Sequence, residues 1–394
     1  MTAFCDWISV AQQHDPASVP DYIGGRVLKV SGGGSVVVAD DGVAMLGDGL
    51  EVDYCTSTYQ QVRGSFETSL RVRCVAGRVE VQGNPSAFDR LDNVLGLSLD
   101  DGMAVINRLM DTLSLPRFTP GQLDGYLQSR ASGAVRQCSG AMLSRVDMTY
   151  NLAVGMGRVK DFNRWAVGQK LYRTPWGEDP GKYKFETVYL SDSVEWIAAK
   201  AYDKSLAVER LSGREFEKRL KAGVLAGRLK AEAAALLLED GKRYLNQLAE
   251  WLAEVGCVRY ELRLGRKFLD ERGFRLWRPG VVSQSLCEVA DMEFERLMSR
   301  AVVVSGDVEE LLTPSELSVY RAWRRGSVGQ ECASSRPSYY RLRAAIMKKT
   351  GLDVGRPCGD VVDAARPSYF RVKPLTAASF PAWYRMPEAV LRAA

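Results

Sequence analysis

The sequence predicts an α+β protein: an antiparallel sheet carrying helical insertions, followed by a smaller helical unit of helix-turn-helix or winged-helix type. Three observations predict it. Polar and apolar residues alternate strictly in several short stretches, which is the period of a half-buried strand. Helical periodicity interrupts these stretches without a regular strand–helix alternation, which argues against a doubly wound sheet. Beyond residue 300 the pattern turns helical and basic.

The elements follow in chain order. Residues from about 60 to 82 form a hairpin, in which Leu70 to Cys74 alternates, Ala76-Gly77 turns and Arg78 to Gln82 alternates again. Asp100 to Leu113 is helical, with Met103, Ile106, Leu109, Met110 and Leu113 on one stripe. Leu143 to Leu152 and Phe185 to Leu190 return to strand alternation. Ser205 to Val255, rich in Ala, Leu, Glu and Lys, is a long helical insertion broken near Asp240-Gly241. Cys257 to Leu264 is another strand. Residues 1–300 therefore make one domain, with its insertion at about 205–256, and 301–394 a second region whose terminal segment can return to the sheet. That region opens on Thr313-Pro314-Ser315-Glu316, a capping box with proline at the first helical position. Its first helix runs to Arg325; a second follows Pro337 and ends at Gly351.

Composition narrows the chemistry. The chain has 394 residues and a single histidine, His14, in a segment that reads as a loop. That rules out a multi-histidine metal centre and argues against a Ser-His-Asp triad or a Cys-His pair. Eight cysteines are scattered with no C-x-x-C pair, as expected of a reducing cytoplasm and not of a zinc site. Neither a signal peptide nor a membrane span is expected. Net charge is only +5, yet Pro314 to Lys373 holds twelve Lys/Arg against five Asp/Glu. A basic patch on a near-neutral body points to a polyanion partner.

Alternation also sorts side chains onto faces. Arg145, Asp147 and Thr149 share one face, as do Arg259, Glu261 and Arg263, and likewise Arg78, Glu80 and Gln82. If these strands are neighbours, Asp147, Glu261 and Glu80 form an acidic centre ringed by arginine, able to hold Mg²⁺ or Mn²⁺ while clamping phosphates. In an extended Ala198 to Lys204, Lys200, Tyr202 and Lys204 share a face, and flanking ammonium groups with a metal would stabilise a phenolate nucleophile. Periodicity alone favours a helix there, since Trp196 to Leu211 is rich in Ala and Glu, which would leave Tyr202 an ordinary amphipathic residue. In the last helix, Leu342, Ala345 and Ile346 face inward, while Tyr340, Arg341, Ala344 and Lys348, with Arg336 just before, make a face suited to the major groove.

Taken in order, these segments resemble the filamentous-phage gene II/X replication initiator family from about residue 65 to the C-terminus. Val79-Glu80-Val81-Gln82-Gly83-Asn84-Pro85 is similar to the family's V-E-(I/V)-x-x-(S/N)-P strand and turn. Ser144 to Tyr150 resembles S-R-(I/V)-D-x-T-(F/Y), and Val258 to Arg263 resembles V-R-(F/Y)-E-x-R. Lys200-Ala201-Tyr202-Asp203-Lys204 resembles the A-Y-x-K segment that carries the nicking tyrosine. The resemblance implies a Rep-type nicking and joining domain that cuts one strand of a double-stranded origin. It would stay joined to the 5′ phosphate through Tyr202 while host helicase and polymerase extend the 3′ end, then re-close the displaced single strand. Phosphates would be held by Lys200, Lys204, Arg145, Arg259 and Arg263, and the protein could act as a dimer on DNA. The chain departs from the family where G-H-N-V-x-G becomes Leu91-Asp92-Asn93-Val94-Leu95-Gly96, so Asp92 competes with Glu80 for a metal-site role. Tyr189, in a T-V-Y strand like that of some plasmid initiators, is the second candidate nucleophile. A non-catalytic origin-binding regulator with the same fold is the alternative.

Overall fold

The computed structural model describes residues 3–19, 27–32, 37–39, 42–44, 50–56, 69–88, 90–129, 133–168, 185–211, 217, 220–221, 224–225, 230–298, 308–327, 335–350, 353–355 and 372–387. Its strands are β1 (Phe4–Gln13), β2 (Val27–Gly32), β3 (Val37–Ala39), β4 (Gly42–Ala44), β5 (Leu50–Thr56), β6 (Ser69–Val75), β7 (Arg78–Gly83), β8 (Gln122–Ser129), β9 (Gly133–Ser139), β10 (Met142–Ala153), β11 (Thr187–Asp192), β12 (Ile197–Asp203), β13 (Cys257–Gly265) and β14 (Lys373–Pro374). The main sheet runs β11-β12-β13-β10-β1-β7-β6-β2-β5, with β14 on β10, and its pairings are antiparallel. The mixed α and β architecture with an antiparallel sheet is therefore the one the sequence predicts.

Alternation produces the two faces. Val146, Met148, Tyr150 and Leu152 of β10, with Val258, Tyr260, Leu262 and Leu264 of β13, enter the larger core. The helices Leu99–Thr112, Val159–Gly168, Arg266–Glu271 and Val281–Met298 contribute side chains to that same core. Helix Leu99–Thr112 starts at Ser98, whose hydroxyl accepts from the Asp101 N–H at 3.1 Å, a side-chain cap for an otherwise unpaired donor.

The opposite face is covered in part by a thinner layer. Val94 and Leu95, helix Ala231–Val255 and the segment around Phe380 and Tyr384 share a second core. The Leu375 N–H reaches back to the Asn151 carbonyl at 2.8 Å, so the chain returns to the sheet after the basic helical region.

Two expectations need correction. His14 itself lies in a loop, but the N-terminal segment before it is the middle strand of the sheet, β1. It is buried along nearly its whole length, which removes the alternation that would have betrayed it. Helix Ala231–Val255 also runs unbroken through Gly241, which is itself buried; packing there overrides the ~1 kcal/mol cost of a helical glycine.

That helix ends at Gly256, with φ +63°, where an added Cβ would lie 1.9 Å from the Gly155 carbonyl oxygen. Gly256→Ala is expected to lower stability by at least about 1–3 kcal/mol, read as a lower urea midpoint with the same slope.

A separate small core joins helices Pro314–Arg324 and Arg336–Thr350 through Val319, Tyr320, Trp323, Tyr339 and Ile346. The capping box is present, with the Thr313 N–H donating to Glu316 at 2.8 Å. Lys349 also holds Glu316 at 2.6 Å, tying the two helices together.

Candidate nicking site

The polar face of the sheet gathers residues from five strands. Register places Lys200 opposite Glu261 and Tyr202 opposite Arg259, Asp147 opposite Arg263 and Asn151 opposite Arg259, and Tyr189 opposite Lys200. One further side chain arrives by a β-bulge. Cys5 pairs Met148 while Trp7 pairs Asp147, so Asp6 is the extra residue in β1. A bulge re-aims a side chain, and Asp6 lies 2.6 Å from Nη2 of Arg259.

The centre is compact and buried. Arg259 is 0% exposed and Tyr202 4%. Nε of Arg259 lies 3.3 Å from Glu261, and its Nη1 donates to the Asn93 carbonyl at 2.6 Å. Tyr202 donates its phenolic proton to Oε1 of Glu261 at 2.6 Å, while Nζ of Lys200 holds Oε2 at 2.7 Å. Asp6 accepts from Asn84 at 2.7 Å and Asn93 at 3.1 Å. Burial is the largest influence on Glu261 and works to raise it, but Lys200 and then Arg259 outweigh it, leaving the carboxyl well below its usual range. Burial pushes the Tyr202 phenol well up, and the Glu261 charge adds to that. The phenol is therefore neutral at rest.

Exposure rises toward one end of this face. Arg145 forks onto Asp147, with Nε 2.7 Å from Oδ1, and stacks over Trp7. Arg263 lies 3.8 Å from the same carboxylate. Arg145, Arg263 and Lys200 keep part of their side chains in solvent, and Tyr189 is 37% exposed. The result is a cationic, partly open shelf next to a closed phenol–carboxylate pair.

Several sequence expectations are placed differently. Glu80 does not join the acidic centre: it pairs with Arg78 at 2.7 Å and Arg73 at 3.9 Å. Its register partner Ala11 aligns with Met142, five residues from Asp147, or about 16 Å along the strand. Lys204 lies beyond the strand that carries Lys200 and Tyr202, and reaches the buried cluster through the Asn93 amide that also binds Asp6. The strand ends at Asp203, and Lys204 begins a helix, 1% exposed, with its ammonium on Asn93 at 2.6 Å. Arg259 is likewise sealed from any phosphate in solution. Asp92 holds the covering layer together, accepting from Tyr244 at 2.7 Å, Tyr384 at 2.9 Å and the Val94 N–H at 2.8 Å.

These positions bear on the expected metal. Among the described residues no three acidic, histidine or cysteine side chains converge as a metal site. Asp147, Glu261 and Asp6 are each held by cationic side chains. Two buried oxygens on this face lacking a hydrogen-bond partner among the described residues, Thr149 Oγ1 and Asn151 Oδ1, are neutral. The arrangement does not fit a Mg²⁺ or Mn²⁺ ion caged by Asp147, Glu261 and Glu80.

Asp6, Asn84 and Asn93 are the site residues that sequence reasoning missed. The signal for Asp6 was one acid inside the apolar run Phe4-Cys5-Asp6-Trp7-Ile8. In the helical unit, Tyr340, Arg341 and Ala344 are exposed and Ile346 is buried, as the facing pattern predicts. The guanidinium of Arg336 sits over the Tyr340 ring at 6.0 Å; the Lys348 side chain lies outside the described residues.

Burial makes Lys204 a pH reporter: desolvation, with Arg259 adding to it, depresses its ammonium to about 7. A depressed lysine means that the unfolded chain binds more protons between that value and the free-lysine range, so stability rises with pH across this window. The urea midpoint of the protein should climb from pH 6.5 to pH 9.5 relative to Lys204→Met; parallel profiles would refute the burial of a titrating amine.

Fold and site define a class: a mixed α/β protein whose antiparallel sheet presents a tyrosine, a carboxylate and a shelf of cations. The chain is similar to a replication-associated protein of Escherichia phage If1, 26% identical over 304 residues that span 71% of this chain and 85% of that one. This agrees with the resemblance to the filamentous-phage gene II family. No family model and no solved structure matches the chain.

Proposed function

We propose that the protein initiates rolling-circle DNA replication by nicking one strand of a double-stranded origin and joining itself to the cut end. The similarity to a replication-associated phage protein supports the initiator role, and one contact carries the chemistry: the Tyr202 hydroxyl on Glu261 at 2.6 Å, beside Lys200.

The scissile phosphate docks on the shelf of Arg145, Arg263 and Lys200. At rest Glu261 is a weak base because Lys200 and Arg259 neutralise it. A phosphate that draws Lys200 toward itself takes away part of that neutralisation and raises the basicity of Glu261. The Tyr202 oxygen attacks phosphorus as its proton passes to Glu261. The P–O3′ bond breaks, the 3′ oxygen takes a proton from solvent, and a 5′-phosphotyrosine remains. Attack by a 3′ hydroxyl reverses the sequence and re-closes the strand without a nucleotide cofactor. The exposed Arg336, Tyr340 and Arg341 read the duplex, and host helicase and polymerase extend the free 3′ end.

The exposure of Tyr189, 37% against 4% for Tyr202, favours a second assignment in which Tyr189 attacks from the shelf. Incubation with supercoiled origin DNA, followed by peptide mapping of the covalent adduct, tests both. Open circles without attached protein, or no cleavage at all, would remove the nicking proposal.

A further inference from the structure

We propose that a second pocket, outside the phenol–carboxylate centre, binds one nucleotide of the DNA single strand. The inference rests on the nicking function proposed above and adds a subsite to it. A cavity of about 530 Å³ opens between helix Leu99–Thr112, residues 85–97 and the returning segment near Met386. Its size lies within the range of small-molecule sites.

Its lining combines the two surfaces a nucleotide needs. Phe88, Leu97 and Val105 supply apolar walls for a base, and Arg108 and Arg385 supply cations for a phosphate. Arg385 is anchored to Asp240 at 2.6 Å and stacks on Tyr244 at 4.6 Å. The Arg108 side chain is exposed and has neither ion pair nor hydrogen bond among the described residues. Two carboxylates also line it: Asp101 accepts from the Ser98 hydroxyl at 2.6 Å, and Asp92 accepts from Tyr244, Tyr384 and the Val94 N–H with Arg90 3.6 Å away, which blunts its repulsion of an anion.

Position links this pocket to the reacting centre. Asp92 lines the cavity, while the next residue, Asn93, binds Asp6, Lys204 and Arg259 on the other side of the same loop. The recess and the reacting centre thus share one loop, with Asp92 facing the recess and Asn93 the buried cluster.

The test is fluorescence anisotropy of a labelled fifteen-residue oligothymidylate with the full-length protein. Ala104→Trp would fill the cavity, and Arg108→Glu would invert its free charge; Ala104 and Arg108 are both exposed on one helix, so the fold survives, as an unchanged thermal midpoint would verify. Each variant is expected to weaken single-strand binding roughly tenfold, the scale of one stacked base, with binding of duplex origin unchanged. Thymidine monophosphate is added in a parallel arm. Competition by it assigns the pocket to a free nucleotide as well as a strand; variants impaired without such competition assign it to the strand, and both outcomes support nucleotide recognition. Wild-type affinity in both variants would overturn the proposal. Impaired variants of a protein that forms no adduct would keep the pocket and sink the nicking function alone.

Discussion

Tyr202→Phe is expected to abolish the covalent protein–DNA adduct and reduce nicking of supercoiled origin to background, with the fold and DNA binding retained. The substitution removes a single oxygen. That oxygen is the one poised on Glu261 at 2.6 Å, and the ring it leaves behind still fills a buried position under Lys200. Replacement of a buried hydroxyl by hydrogen leaves Glu261 with Lys200 and Arg259 as partners, so the stability cost stays near that of one hydrogen bond, about 1–2 kcal/mol. Tyr189→Phe, by contrast, should cut and join at nearly the normal rate. The reverse pattern, adduct lost with Tyr189→Phe and kept with Tyr202→Phe, would move the reaction onto the open shelf and leave Glu261 without its proposed role.

The largest stability effect is expected at Arg259. Its guanidinium is the shared partner of two buried carboxylates, 2.6 Å from Asp6 and 3.3 Å from Glu261. Arg259→Met strands Asp6 next to Glu261 in a buried site, and removing one partner from a buried ion cluster costs about 3–5 kcal/mol. That is a large fraction of the roughly 5–15 kcal/mol that holds a typical domain together. Equilibrium urea unfolding measures it. The triple variant Asp6→Asn, Glu261→Gln, Arg259→Met should recover most of the loss, because it removes the uncompensated charge along with the cation. Full stability of Arg259→Met alone would mean that the cluster is solvated and the two carboxylates are not buried.

How far the sequence foretold this molecule depends on the kind of signal each element carries. β10 and β13 were legible because one face of each is apolar and the other is charged, so alternation named Asp147, Glu261, Arg145 and Arg263 together. The capping box at Thr313 and the stripe of helix Leu99–Thr112 were legible for similar reasons, since both are local in the chain. β1 was not legible: covered on both faces and bulged at Asp6, it shows no period. Neighbouring strands were inferred correctly for Asp147 and Glu261 but not for Glu80. Strand pattern fixes which face a side chain takes, while its depth along the sheet depends on register, which only long-range pairing sets. The burial of Lys204 and Arg259 was hidden by the same limit, because the layer that covers them arrives from residues 91–97, 231–255 and 372–387.

The return of the chain to the sheet at Lys373–Pro374, with Tyr384 clasping Asp92, makes the basic helix pair an excursion anchored at both ends instead of a tail. Cutting the protein near residue 300 would strip Phe380 and Tyr384 from the layer over Arg259 along with the two basic helices. Under the proposed function, a shortened protein of that kind would lose origin recognition and a settled active centre in one stroke. Separating the two activities calls for an internal deletion that bridges residue 298 to residue 372, leaving the closing segment in place.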